Sequence, residues 1–164
     1  MIIRTYVGLG FTFIELMITI AIAAILLTIG TPSLVSLYEG MRVNSNIEKI
    51  HDTLIFARSQ AISYGTTVKV CPYATADACG TTTDWSKGIR VYTDKNISKP
   101  LRAIDGFHAN DKVKGSVALL TFAPDGLSNG ATLTYCPNGK KTEAKAVTVK
   151  VGGIISYSDA GAGC

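Results

Sequence analysis

The stretch "GFTFIELMITIAIAAILLTIGTP", Gly10 to Pro32, decides the fold. Phe11 to Pro32 is 22 residues with one acid, Glu15. At ~1.5 Å per residue a helix over it measures about 33 Å, enough to cross a bilayer. A carboxylate inside such a segment costs roughly 2.5–3.5 kcal/mol on insertion scales. An acid kept at that cost implies a partner or a task. A secretory signal has a shorter apolar region with a small-residue cleavage site behind it; here Pro32 ends the run. Arg4 is the only charge ahead of it, which favours a cytoplasmic N-terminus and places the rest of the chain outside the cytoplasm.

Beyond Pro32 the apolar spacing becomes helical. Leu34, Leu37, Met41, Ile47, Ile50, Leu54, Ala57 and Ala61 follow three- and four-residue steps, and Gly65 supplies a stop. The pattern predicts one long helix over about 11–64, bent near Pro32 and loosened at Gly30 or Gly40. Its first half is apolar all round; its second half is amphipathic and needs a sheet to cover it. From Thr66 the period changes to two, with β-branched residues. Strands are predicted at 66–71, 87–93, 117–123, 131–136, 146–151 and 153–158, separated by the turn signals "TDKN", "PDG", "SNG" and "PNG". An α+β fold follows, an antiparallel sheet laid on the helix.

The 164 residues are 47% hydrophobic and 17% charged, with a net charge of +4, so one globular domain beside the apolar segment is the natural division. That charge does not by itself point to nucleic acid or anionic lipid. Cys71, Cys79, Cys136 and Cys164 form no CxxC pair and no zinc-spaced set with histidine. Four cysteines allow three pairings. The favoured one joins Cys71 to Cys79 across "CPYATADAC", worth roughly 2.5 kcal/mol on the chain-entropy model, and Cys136 to Cys164. Disulfides fit an oxidising compartment, in agreement with the orientation read from Arg4.

"GFTFIELMITIAIAAIL" resembles the class III signal of type IV pilins and type II secretion pseudopilins. The resemblance implies a type IV pilin fold, a prepilin peptidase cut between Gly10 and Phe11, and methylation of the new N-terminus. It divides the chain into a leader (1–10), a transmembrane and assembly helix (11–34) and a periplasmic globular domain (35–164). The subunit would sit in the inner membrane before assembly and in the pilus, near its tip, afterwards. Glu15 becomes an assembly residue whose counter-ion is the amine on Phe11, of its own or a neighbouring subunit; in a low dielectric an unpaired carboxylate is strongly unfavourable. Ala21, Ala23, Ala24, Thr28 and Gly30 would let helices approach closely.

"ARSQAI", "WSKGIRVYTDKN" and "FAPDGLSNGATLTYC" narrow the resemblance to the GspH/FimT family of minor pilins and pseudopilins, and the paired cysteines are most like FimU-type members. Its implied partners are other minor pilins and the major pilin, its implied role to start assembly or to join a tip complex to the major pilin. A GspH-like place in type II secretion is the alternative. A FimT-like DNA-binding role for transformation is a further one, but such members carry a Gly-Arg-x-Arg element where this chain has Gly153 and Ile155. Phosphate contacts rest on such cations. Lys140, Lys141, Lys145 and Lys150 are the remaining candidates for nucleic-acid contact.

Catalysis and cofactors find no support. His51 and His108 have no adjacent nucleophile. "DKN" (94–96) lacks the glycine and glutamate of an EF-hand loop and reads as a turn. Trp85 and Tyr92 read as core or sheet-face aromatics, since no basic–aromatic run surrounds them.

Overall fold

The computed structural model describes residues 11–75, 78–96, 99–159 and 163–164, with the side chains of 29–33 excepted. Helix α1 runs from Phe13 to Tyr64. It ends in a left-handed glycine, Gly65 (φ 58°). There the Thr66 N–H donates to the Ala61 carbonyl at 3.2 Å and the Gly65 N–H to that of Ile62 at 3.3 Å, a Schellman motif. The chain divides into two compact units, residues up to Tyr38 and Glu39–Cys164. In the first, every described side chain is exposed. The predicted bend near Pro32 and the glycine at 30 fall where side chains lie outside the described residues.

The second unit buries one stripe of α1: Val43, Ile47, Ile50, Leu54, Ala57 and Ala61. Steps of four and three residues keep these on one face. Leu34, Leu37 and Met41, which spacing assigned to that stripe, are exposed instead. Met41 is six residues from Ile47, which at ~100° per residue turns it about 120° off the face.

Two antiparallel sheets, not one, cover the stripe. The first contains β1 (Val68–Thr75), β2 (Ala78–Cys79), β3 (Ile89–Thr93), β4 (Arg102–Ile104) and β6 (Leu120–Phe122), in the order β2-β1-β3-β4 with β6 also on β1. The second contains β5 (Lys112–Gly115), β7 (Ala131–Cys136), β8 (Lys145–Val149) and β9 (Ile155–Asp159), in the order β5-β7-β8-β9. Both contribute to a single core: Val68, Val70, Ile89, Val91, Leu120 and Phe122 from the first, Val113, Leu133, Tyr135 and Val147 from the second.

Strand β1 passes through Pro72 while paired to β3. The Tyr73 N–H donates to the Gly88 carbonyl on the β3 side, so the proline nitrogen faces the other side. There β6 has ended at Val70 and β2 begins at Tyr73. A residue without an N–H fits that gap at no cost in ladder bonds. Cys71 is bonded to Cys79, with Cα atoms 5.5 Å apart, and Cys136 to Cys164, 5.9 Å apart. Trp85 is fully buried and donates its indole N–H to the Val117 carbonyl at 3.1 Å; Gly115 lies against that ring, leaving no room for a Cβ.

Candidate assembly site

The start of α1 places Glu15 in its first turn. The Thr12 carbonyl accepts the first helical bond, from Leu16 N–H at 3.2 Å. The Glu15 N–H donates to Thr12 Oγ1 at 3.3 Å, and the Thr12 N–H donates to Glu15 Oε2 at 3.5 Å. This is a capping box, in which side chains satisfy two of the donors that a helix start leaves open. The carboxylate also complements the positive end of the helix dipole. Threonine followed three residues later by glutamate is a sequence signal for it, masked by the apolar run around it. Glu15 therefore has a partner within its own chain besides the amine anticipated at Phe11. Phe11 is exposed; Gly10 lies outside the described residues.

Behind that cap the helix has no polar face. Phe13 is 78% exposed, and Ile14, Leu16, Met17, Ile18, Ile20, Ile22, Ile25, Leu26 and Leu27 stand exposed around it. Apolar all round is the pattern of a helix that is buried in something else. Ala21, Ala23, Ala24 and Thr28 share this exposure. The transmembrane span expected over 11–34 falls in part on residues whose side chains lie outside the described ones; among the described residues no helix is long and apolar enough to cross a membrane. The side chains described without interruption end at Thr28, short of the ~20 residues a crossing takes.

At the first residues of the second unit, α1 is tied to the sheet by a buried polar cluster that the sequence did not announce. Asp111, 1% exposed, accepts from Arg42 Nη2 on Oδ1 at 3.0 Å, and its Oδ2 lies 3.0 Å from Arg42 Nε as an ion pair. It also accepts from the Tyr135 hydroxyl and, at 2.8 Å, from the Asn138 N–H. Asn46 donates to the Tyr135 hydroxyl at 2.9 Å, and Asn138 donates its amide to Glu39 at 2.5 Å. A buried carboxylate needs this many donors. Burial first, then the adjacent Asp111 carboxylate, pushes the Tyr135 phenol above its ordinary value. Elsewhere, hydrogen bonds from Ser86 hold the Asp84 carboxyl below the usual range.

Of the four candidate lysines, Lys150 stands away from Lys145 along the second sheet. Lys140 and Lys141 follow the turn Pro137–Gly139. Lys145 opens β8 and donates to Asn44 Oδ1 at 2.6 Å. Lys150 lies beyond its end, five residues and about 17 Å further at ~3.4 Å per residue. The two positions of the arginine element do not suit arginines. Gly153 has φ 75°, and a Cβ there would run into the Gly126 carbonyl, to which Arg58 Nε donates at 3.1 Å. Ile155 packs against the core.

The remaining candidates are structural. His51 stacks on Tyr157, ring centroids 4.4 Å apart. The His108 carbonyl accepts from the Asp111 N–H at 2.8 Å, on the way into β5. Asp94 pairs with Lys69 at 2.5 Å in the 94–96 turn. Among the described residues no group of three or more His, Cys, Asp or Glu could hold a metal ion.

The family model described as "Type II transport protein GspH" matches residues 46–153, and a model of the prokaryotic N-terminal methylation motif matches residues 9–31. Crystal structures of the type IV minor pilin FimU of Pseudomonas aeruginosa are similar. One is 27% identical over 71% of this chain and 87% of that one, with a TM-score of 0.59; a second crystal form is 26% identical over 70% and 91%, with 0.57. The minor pseudopilin EpsH of the Vibrio cholerae type 2 secretion system shares the fold at 13% identity, covering 73% of this chain and 98% of that one, with a TM-score of 0.55. No curated protein sequence matches. With the first model spanning about two thirds of its length and the methylation motif lying on its first helix, the chain belongs to the GspH family and has the type IV pilin fold of minor pilins and pseudopilins.

Proposed function

We propose that this chain is a minor pilin of a type IV pilus that helps start assembly or joins a tip complex to the major pilin. Its precursor is held in the inner membrane by the apolar segment, with the globular unit in the periplasm. A prepilin peptidase cuts between Gly10 and Phe11, the new terminus is methylated, and the helix carries the subunit into the fibre. Its role is structural, with no reaction of its own. The observation that carries this reading is the methylation motif on a helix with no polar face, joined to a domain 27% identical to FimU. A lone apolar helix of that kind gains most by packing among others like it, where small residues allow contact and Glu15 can find an amine.

A second reading, a minor pseudopilin of type II secretion, is favoured by the description of the matching family model. A deletion strain complemented with an epitope-tagged chain separates the two. Tagged protein in sheared pili and loss of piliation support the first reading. Normal pili with blocked release of a secreted enzyme would replace it by the second. DNA binding is disfavoured because position 153 does not suit an arginine and Ile155 packs against the core.

A further inference from the structure

Strand β9 is the last strand of the second sheet, in unbroken register with β8 along its whole length. Among the described residues no strand pairs with its outer edge. Edges that must stay free are guarded by lysines, prolines or bulges. The strand sequence "ISYSD" has none of these, its one charge being Asp159 at the end.

Two clefts lie between this strand and α1. One, of about 580 Å³, is mainly apolar: Ile55, Ile62 and Ile154, each about half-exposed, line it with Ile155, alongside Arg58, Ser59 and Ser63. The other, of about 630 Å³, is lined by Glu48, Tyr157 and Lys145. Tyr157 is 54% exposed, and its ring is braced by its stack on His51. Glu48 lines the cleft with Tyr157, and Asp52, one turn further along α1, has its carboxylate 3.5 Å from the His51 ring on which Tyr157 stacks; desolvation first, then these two carboxylates, raises the phenol. Lys145 is spoken for by Asn44. An exposed aromatic face beside two carboxylates suits a guanidinium or ammonium.

We propose that the β9 edge is a strand-addition site for an extended segment of a different pilin subunit, whose apolar side chains enter the isoleucine cleft and whose Arg or Lys lies on Tyr157 beside Glu48 and Asp52. It rests on the pilin reading above and adds the partner's chemistry to it. Main-chain bonds supply affinity in this mode and the side-chain clefts supply specificity. A second copy is a poor occupant. Of its edge strands with cations, β5 is bridged on its outer side through Asp84 and Lys114, and Arg102 of β4 lies over Phe56 at 3.9 Å.

The test uses the full chain in piliated cells. p-Benzoylphenylalanine is placed at Tyr157 in one strain and at Ile22 of the apolar helix in another, then photolysed. Adducts to another pilin are expected at both. The Tyr157-site adduct should map by mass spectrometry to an extended segment carrying Arg or Lys, and fall at least fivefold in E48K/D52K while the Ile22-site adduct persists. Should E48K/D52K fail to accumulate, E48Q/D52N repeats the comparison. An Ile22-site adduct without a Tyr157-site adduct overturns the strand-addition site and leaves the pilin reading standing. So does a Tyr157-site adduct to a second copy, to lipid, or to a pilin irrespective of charge at positions 48 and 52. Loss of both adducts overturns the two together.

Discussion

Glu15 is held in the capping box by the Thr12 N–H, the proposed amine on Phe11 would compete for it, and one substitution separates the two. Glutamine keeps the capping box, since its amide oxygen can accept the Thr12 N–H, but it removes the charge. Glu15→Gln should therefore preserve the helix start and still lower incorporation into pili severalfold if the carboxylate serves an amine. Glu15→Ala should lose the charge and the bond from the Thr12 N–H, while the backbone N–H at position 15 still donates to Thr12 Oγ1. Quantifying each variant in sheared pili checks this; full incorporation of Glu15→Gln would leave the box as the residue's whole purpose. At Asp111 the sign is different. Asp111→Ala removes the buried carboxylate to which Arg42, Tyr135 and Asn138 donate and should cost about 3–5 kcal/mol in urea unfolding. The Tyr135 phenol is raised in the folded state and ionises at its ordinary pKa of 10.0 when unfolded. Its contribution is thus complete below that pKa and lost as pH climbs above it. Wild type should lose stability more steeply above pH 10.0 than Tyr135→Phe, measured by thermal melts across that range.

At the scale of elements, α1 was legible because both of its ends and its change of character are local. The greasy run, the period-3.6 stripe and Gly65 each lie within a few residues of what they determine. Strand β7 was legible to the residue, because "ATLTYC" alternates cleanly between turn glycine and turn proline. Strands β2, β4 and β5 were not: they are two to four residues long, and β5 alternates lysine with a single valine. A strand that short exists only because a neighbour pairs with it. The turn before β9 makes the same point. Gly153 is confined by Gly126, 27 positions earlier in the chain, so Gly153→Arg should not confer DNA binding. It should instead lower the melting temperature by several degrees, as expected for roughly 1–3 kcal/mol of backbone strain; tight, salt-sensitive gel shifts by a stable Gly153→Arg protein would contradict this.

Over the whole molecule, the two disulfides restrain different spans, 8 and 28 residues. On the chain-entropy model their removal costs roughly 2.5 and 3.5 kcal/mol, so Cys136→Ser with Cys164→Ser should shift the unfolding midpoint further than the Cys71 and Cys79 pair. Non-reducing peptide mapping should recover these two bridges and no crossed ones. The sequence by itself determined the helix, its apolar and amphipathic halves, the α+β class and the family, because each is written in local periodicity or in a contiguous motif. Only the tertiary structure decided that the strands split into two sheets and that Asp111 collects Arg42, Tyr135 and Asn138. It alone showed that, among the described residues, no strand pairs with the outer edge of β9, which lies beside an acidic aromatic cleft. Those outcomes depend on residues dozens of positions apart arriving at one place. A buried charge or an unpaired edge is defined by what surrounds it, and no stretch of chain carries its own surroundings.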